Sequence, residues 1–474
     1  MDQIPREHLS IFKTISKAGR LCEQPVYVIG GYVRDYLLKR LNQTNYADID
    51  FVTVGSGIKL AQKVGELLDV DNVSTFRKFG TAHLRYKNFD LEFVGARTES
   101  YRNDSRKPIV ESGTLEDDQR RRDFTINALS FSLNEENFGE LIDPFNGLQD
   151  LKAGLIRTPI DAVQTFSDDP LRMLRAIRFA TELDFSIAPK TYAGIIESAD
   201  RITIISQERI TDELNKILAA PIPSKGFVYL FNTGLLNHIL PELADLHGVE
   251  IREGIGHKDN FWHTLQVLDN VAEVTDNLWM RWAALLHDIA KPPTKRFVKG
   301  IGWTFHGHDA LGAKWVKKIF RRLSLPMDER MRFVQKLVRL HLRPIALVDE
   351  EVTDSAIRRL IVEAGDDLED LMILCRADIT SRNDRKVRRF LKNFDHVEKK
   401  IEEVAEKDRL RNWQPPIDGH EIMLALNIKE GPEIGKIKKA IENAILEGEI
   451  PNDHDAAYEY MMKIKDQYLK HESS

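Results

Sequence analysis

Gly30-Gly31-Tyr32-Val33-Arg34-Asp35 follows a short apolar run, Val26-Tyr27-Val28-Ile29, and Asp48-Ile49-Asp50 comes soon after. A strand that ends in two glycines and enters a helix lets backbone N–H groups approach a phosphate closely. Arg34, one turn in, adds a guanidinium for charge-assisted contacts. Asp48 and Asp50 are two apart on an expected strand, so both carboxylates leave one face. Such a pair can hold two Mg2+ ions against a triphosphate. A third carboxylate completes such a site. Asp90 and Glu92, on the polar face of Asp90-Leu91-Glu92-Phe93, both qualify. Singly, a Gly-Gly is usually a tight turn and an Asp-x-Asp a solvated strand end. Their order and spacing favour chemistry.

Farther on, Asp169, Arg172, Arg175 and Arg178 recur every three residues beside an apolar stripe of Leu171, Leu174 and Ile177. Ser167 is the expected N-cap and Pro170 suits the first turn. Alone, the charged stripe reads as a surface salt-bridge ladder, worth ~0.2–0.5 kcal/mol per pair. A carboxylate beside a guanidinium also offers acceptor next to donor. Cytosine and adenine present the matching order; uracil and guanine present the reverse.

A separate series is His263, His287-Asp288, His306-Gly307-His308-Asp309, His341 and Asp378. Imidazole and carboxylate together suit transition metals. One His-Asp pair means little, but the series spans helical sequence with repeated candidate ligands. His306 and His308 compete for one place, and for His341 a core or capping role is the alternative to a ligand.

Gly-Gly-Tyr-Val-Arg-Asp, Asp-Ile-Asp, Arg121-Arg122-Asp123-Phe124-Thr125-Ile126-Asn127-Ala128, Asp143-Pro144-Phe145-Asn146-Gly147 and Asp168 through Phe179 occur in that order. Over residues 25–220 they resemble the bacterial-type (class II) tRNA nucleotidyltransferases and poly(A) polymerases. The resemblance implies Asp48 and Asp50 as catalytic Mg2+ ligands. Its third carboxylate stands five residues before an arginine, which prefers Glu92, ahead of Arg97, to Asp90. Val94-Gly95-Ala96 departs from the usual Thr-containing stretch there. Nucleotide contacts are implied for Gly30, Gly31, Arg34, Arg122, Asp123, Asn127, Asp169, Arg172, Arg175 and Arg178. Asp169 and Arg172 take the role of template for base choice, and the further arginines hold triphosphate. Tyr101 through Pro108 looks like the flexible loop of members that add the terminal A. No Arg-Arg-Phe-type segment of poly(A) polymerases is evident; Phe76-Arg77-Lys78-Phe79 stands there instead. Residues 255–395 resemble the HD phosphohydrolases. That resemblance implies metal on His263, His287, Asp288 and Asp378, and a second ion on His308 and His341, with Mn2+, Ni2+ or Co2+ as candidates.

The implied reaction is CCA addition to tRNA from CTP and ATP, with HD hydrolysis as a second activity. The alternatives are poly(A) or A-only addition. From another class, an HD phosphohydrolase could use the front domain only to bind RNA.

The elements that must position these residues are an opening amphipathic helix (Leu9, Phe12, Ile15, Leu21), strands at 26–29, 49–54 and 90–93, and almost wholly helical sequence past Ser167. The expected fold is α+β, a head with a small mixed sheet followed by helical neck, HD and tail modules. At roughly 100–200 residues per domain, 474 residues make about three or four. The breaks proposed give 1–147 (head), 148–254 (neck), 255–400 (HD) and 401–474 (tail). Lys plus Arg is 68 against 74 Asp plus Glu, a net −6, which excludes a generally basic coat. Local stripes remain for RNA: Lys314, Lys317, Lys318, Arg321 and Arg322, and the basic segment Ser381–Asn393. The tail segment 428–436 offers a Gly-bounded helix start. Cys22 and Cys375 match no metal or redox spacing. With no secretory signal and no apolar run of 18 residues, a cytoplasmic protein without membrane contact is expected. Nothing in the sequence sets an oligomeric state.

Overall fold

The computed structural model describes residues 4–41, 48–77, 80–102, 105–349, 353–380, 384–408 and 416–469. The chain divides into two compact units, Met1–Pro241 and Glu242–Ser474.

The first unit is built on a seven-stranded mixed sheet. Its strands are β1 (Val26–Ile29), β2 (Asp48–Thr53), β3 (Val73–Phe76), β4 (Thr81–Tyr86), β5 (Phe89–Gly95), β8 (Ser130–Ser132) and β9 (Leu141–Ile142). The order is β3-β4-β5-β2-β1-β8-β9. Among the described residues of this sheet only β2 and β5 pair in parallel, in a register that sets Asp48 beside Asp90 and Asp50 beside Glu92. Alternation does the rest. Ile49, Phe51, Leu91 and Phe93 are buried on one face, so the carboxylates leave the other. Phe51 and Phe93 stack at 5.2 Å, and Phe12 of the helix Arg6–Cys22 meets Phe51 edge-on at 5.8 Å. Burying each such ring contributes about 1.5–3 kcal/mol, which anchors the strands that carry the acids.

Two expectations are corrected here. The segment read as a polar loop is an antiparallel hairpin, β6 (Arg97–Arg102) with β7 (Ser105–Ser112), irregular between Ser100 and Arg102. Asn103 and Asp104 at its tip lie outside the described residues, as do Lys78 and Phe79. Thr98, Tyr101, Ile109 and Val110 are good strand formers, and Pro108 is tolerated because a two-stranded ribbon has only edges. Second, Ser167 is not an N-cap. It lies inside the helix Ala162–Asp168, which Asp161 caps. The chain breaks at Asp169 (φ −141°, ψ 101°) before the helix Leu171–Glu182, because Pro170 disfavours the helical conformation at the residue before it.

The second unit is mostly helical. The helix Leu278–Leu286 runs through its core, with every residue from Met280 to Leu286 buried. Asn260–Val274, His308–Arg322, Glu329–Leu340 and Leu368–Asp378 pack around it. Two small hairpins stand within the sequence read as almost wholly helical, Ile251–Arg252 with Ile255–Gly256 and Arg296–Val298 with Gly302–Thr304. The break placed at 254 falls in the turn of the first. The helices Gly419–Leu426, Pro432–Glu447 and His454–Tyr468 close a separate apolar cluster of Ile417, Ile422, Ile437, Ile441 and Met461. Among the described residues no helix is long and apolar enough to cross a membrane.

Candidate active site and candidate metal centre

In the first unit a cleft of about 330 Å³ opens over the polar face of the sheet. Asp50, Glu92, Arg121, Arg122, Asp123, Asp169, Arg172 and Arg175 all line it. Asp90 is elsewhere, 3.6 Å from His83 Nε2. Burial raises the Asp50 carboxyl; Arg122 opposes the rise, and Asp48 and Asp118 add to it. Burial and the neighbouring Asp50 likewise raise Glu92. Carboxyls raised by burial and by one another are what a divalent cation relieves, and the all-oxygen donor set fits hard oxygen-seeking ions. Asp48 is exposed at the start of β2.

Gly30 stands at the junction of β1 with the helix Gly31–Leu37, at φ +84° and ψ −138°. A Cβ there would come within 3.2 Å of Arg122 Nη1 and 3.4 Å of Asp50 Oδ2. The glycine is what lets these two side chains meet the strand end. Arg122 and Arg121 share one fully buried acceptor, Asp118, with Arg122 Nε at 3.2 Å from Oδ2.

Asp123 is the centre of a network. Its Oδ1 accepts from Phe124 N at 2.8 Å and Asn127 Nδ2 at 3.1 Å, and its Oδ2 from Arg175 Nε at 2.8 Å. Burial alone would raise this carboxyl; Arg175 and Asn127 outweigh it and hold it at about 2. Asn127 Oδ1 in turn accepts from Arg34 Nη1 at 2.9 Å.

Arg34 was expected at the phosphate, but its guanidinium is committed to Asn127 and, bidentately, to Asp35 at 2.8 Å. Arg178 is also corrected. It is buried, its Nε 3.0 Å from Glu213 Oε2, and it does not line the cleft. A three-residue step drifts by about 60° on a 3.6-residue helix, so Arg178 is turned roughly 120° from Arg172. Arg34, Arg175 and Arg178 lie 5.0, 5.4 and 4.1 Å from the Phe179 ring centroid.

Asp169 and Arg172 both face the cleft. Asp169 Oδ1 caps Leu171 N at 3.2 Å, and Arg172 Nη2 donates to the Arg121 carbonyl at 2.7 Å. Arg209, missed in the sequence, also lines the cleft, its Nη2 3.5 Å from Asp169 Oδ2. It sits in the first turn of the helix Gln207–Ala219, where the dipole disfavours a cation. That was its only local signal.

In the second unit His263, His287 and Asp378 form one trio, and Asp288, His308 and His341 another, with ligand atoms in each within 4.8 Å of one another. Among the described residues these are the trios that meet that spacing; Asp48, Asp50 and Glu92 do not. Asp288 joins the two groups. Its Oδ2 lies 3.2 Å from His287 Nε2 and 3.6 Å from His263 Nε2, and its Oδ1 3.2 Å from His308 Nε2 and 3.8 Å from His341 Nε2. His306 is exposed while His308 is buried in the cluster.

The tautomers favour metal. His287, His308 and His341 each place Nδ1 at 2.7 Å from a backbone carbonyl, of Ala284, Phe305 and Val338. A protonated Nδ1 leaves Nε2 with a lone pair for a cation, and the buried His287 Nε2 faces Asp288 Oδ2 at 3.2 Å and Asp378 Oδ1 at 3.7 Å. The electrostatics agree. Burial opposes charge on His287, but Asp288 and Asp378 prevail and push it up to about 10. Burial and the charge on His287 take His341 down to about 4. The buried acids demand one positive charge among the imidazoles, a demand a cation would meet.

On the helix His308–Arg322, Lys314, Lys317, Lys318 and Arg321 are exposed, and Arg322 pairs with Glu242. Of the second basic segment, Ser381–Asn383 lies outside the described residues.

A family model described as the poly A polymerase head domain matches residues 26–157, a probable RNA and SrmB-binding site of polymerase A matches 184–246, and an HD domain matches 260–383. The A-adding tRNA nucleotidyltransferase of Deinococcus radiodurans is 32% identical over 351 residues, 72% of this chain and 78% of that protein. The multifunctional CCA protein of Shewanella frigidimarina is 33% identical over 325 residues, 64% and 71% of the two. Among solved structures, the Thermotoga maritima CCA-adding enzyme complexed with tRNA superposes with a TM-score of 0.61 at 22% identity, covering 97% of this chain and 96% of that one. That likeness establishes the fold.

Proposed function

The chain belongs to the family of tRNA nucleotidyltransferases and poly(A) polymerases, and on that premise we propose that it builds CCA onto tRNA 3′ ends from CTP and ATP. The observation that carries the reading is one cleft lined together by Asp50, Glu92, Asp169, Arg172 and Arg175. Asp48, Asp50 and Glu92 would hold Mg2+, which supplies a Lewis acid for the attacking and leaving oxygens. The tRNA 3′-hydroxyl attacks the α-phosphorus and pyrophosphate leaves. Arg122 and Arg175 hold the triphosphate. Asp169 accepts from the base amino group while Arg172 donates to the adjacent ring nitrogen, which admits C and A. Gly30 lets Arg122 and Asp50 come close; Arg34, Asn127 and Arg178 position the groups that touch nucleotide. Residues 1–147 serve as head, 148–254 as neck, 255–400 as the HD module and 401–474 as an RNA-holding tail, in a cytoplasmic protein.

For the histidine cluster we propose a metal-dependent phosphohydrolase with Mn2+, Ni2+ or Co2+. His263, His287, Asp288 and Asp378 would take one ion and His308 and His341, with Asp288, a second; the ions would supply an activated water.

The test offers tRNAs ending at the discriminator base, at C and at CC, with each NTP in turn. CCA addition extends all three to the same end. Extension of the CC substrate alone would make this an A-adding enzyme like its Deinococcus relative, and runs of A would make it a poly(A) polymerase. Asp48→Ala or Asp50→Ala should abolish addition and leave RNA binding; near-normal turnover in either sinks the metal assignment.

A further inference from the structure

The sheet face that carries the acids continues past them to an aromatic ring with no role so far. Residues directly opposite in a ladder share a face. Asp50 of β2 is opposite Glu92 of β5, Glu92 opposite His83 of β4, and His83 opposite Ser74 of β3. Two residues away, Val52 is opposite Val94, Val94 opposite Thr81, and Thr81 opposite Phe76. The first row is polar. The second is a mostly apolar floor that lines the cleft at Val52, Val94 and Thr81, and Phe76 prolongs it by one strand. The other face of β3 is covered. Val73, opposite Leu84, packs with it against Gly65 of the helix Gly57–Leu68.

Phe76 is 54% exposed, whereas Phe51 and Phe93 on the covered face are fully buried. Among the described strands β3 is the edge of the sheet, where a large exposed ring invites misassociation unless something covers it. The reaction says what does. Transfer at the α-phosphorus keeps the attacking and leaving oxygens in line, on opposite sides of that phosphorus. The triphosphate side belongs to Arg122, which meets Gly30 at the end of β1. In the order β3-β4-β5-β2-β1, the attacking hydroxyl then comes in over β5 from the β3 side. Phe76 lies two strands beyond Glu92, ~10 Å at the usual strand spacing, which is the scale of a nucleotide. Aromatic rings stack unpaired bases irrespective of sequence. An acceptor whose last base changes as its tail grows needs that tolerance. Arg77, next to the ring and also exposed, suits the acceptor's phosphates.

We propose that Phe76 is the stacking platform for the 3′-terminal base of the acceptor RNA, at the outer end of the floor laid by Val94 and Thr81. The ring holds the acceptor, not the incoming nucleotide, whose base is read by Asp169 and Arg172. The proposal rests on the transferase reading above.

Steady-state addition of A by the full-length protein tests it, with a tRNA ending at CC and the same tRNA carrying an abasic residue at its 3′ end. Phe76→Ala should lower kcat/KM for the CC acceptor roughly 5- to 150-fold, as expected for one lost base–aromatic stack, and leave KM for ATP within twofold. The abasic acceptor should be as slow with wild type as with the variant, because removing the base or the ring breaks the same contact. Phe76→Tyr should retain most of the rate. Losses from base and ring that multiply, or a kcat/KM indifferent to Phe76→Ala, overturn the platform while the transferase stands. So does a raised KM for ATP with the acceptor unaffected, which would give the ring to the incoming base. A calorimetric transition of the first unit that falls in step with the rate would make the ring structural and overturns it too. A wild type that extends neither this CC acceptor nor any other tRNA overturns the transferase reading and the platform together.

Discussion

Replacing Gly30 with alanine separates backbone strain from crowding in the cleft. At φ +84° and ψ −138° the residue occupies a region that side chains with a Cβ rarely enter, and forcing one there costs ~1–3 kcal/mol. The crowding is milder. The new methyl would stand 3.2 Å from Arg122 Nη1 and 3.4 Å from Asp50 Oδ2. The first is the tip of a long side chain that can yield a few tenths of an ångström; the second is ordinary contact. Strain therefore sets the stability loss. At roughly 2–4 °C per kcal/mol for a unit of this size, the calorimetric transition of the first unit should fall by about 2–12 °C. Activity should fall further, because the yielding groups are the cleft's own: if 1 Å costs about a hundredfold in rate, a few tenths of an ångström should cost roughly two- to fivefold. Gly234→Ala is the control. Its φ of +81° and ψ of −9° are left-handed, and nothing lies within 4 Å of its Cβ position. It should lose ~1–2 kcal/mol and keep its rate. A Gly30→Ala protein that melts and turns over like wild type, or that loses no more activity than Gly234→Ala, refutes the reasoning.

Asp123→Asn should destabilise the first unit by roughly 2 kcal/mol at pH 7, since its carboxyl is held at about 2 against an ordinary 3.8. The folded value is the lower one, so this stability is present above pH 3.8 and lost as pH falls towards 2; the gap to wild type should match at pH 7 and 5 and close below 4, and a gap that widens in acid would contradict it. Arg172→Ala or Asp169→Ala should relax discrimination against UTP and GTP by ~1–3 kcal/mol, roughly 5- to 150-fold, and Arg209→Ala by roughly two- to fivefold, given its partly exposed 3.5 Å pairing. Equal losses with all four NTPs would show that these residues only hold the helix. His287→Ala combined with Asp288→Ala should remove Mn2+-, Ni2+- or Co2+-stimulated phosphatase or 2′,3′-cyclic phosphodiesterase activity and spare Mg2+-dependent addition, with circular dichroism confirming the fold; loss of both activities in a folded protein would refute separability.

Local pattern carried much of the cleft. Alternation alone put Asp48, Asp50 and Glu92 on the polar face of β2 and β5, because Ile49, Phe51, Leu91 and Phe93 leave no other way to bury the sheet. The parallel register that sets Asp50 beside Glu92 and Asp48 beside Asp90 is a long-range pairing that no local window contains. Arg178 misled because a three-residue repeat imitates a stripe until the 3.6-residue turn carries it round to Glu213. Arg209 stayed hidden because its partner, Asp169, is forty residues away. The hairpins around Ile251 and Trp303 were lost within a helical run, since two- and three-residue strands give too short an alternation to read. His308 was separable from His306 only by burial.

Where helices stop decides the chemistry of the histidine cluster. His287 and His341 each follow the last residue of a helix, Leu278–Leu286 and Glu329–Leu340, and each returns its Nδ1 to a carbonyl three residues back. Those carbonyls belong to the final turn, which ends a helix with acceptors left over. The leftover acceptors thereby select an imidazole tautomer. Extending either helix through its histidine by one turn would claim that carbonyl for the backbone, free the imidazole to exchange its protonated nitrogen, and retune metal affinity without changing the identity of any ligand.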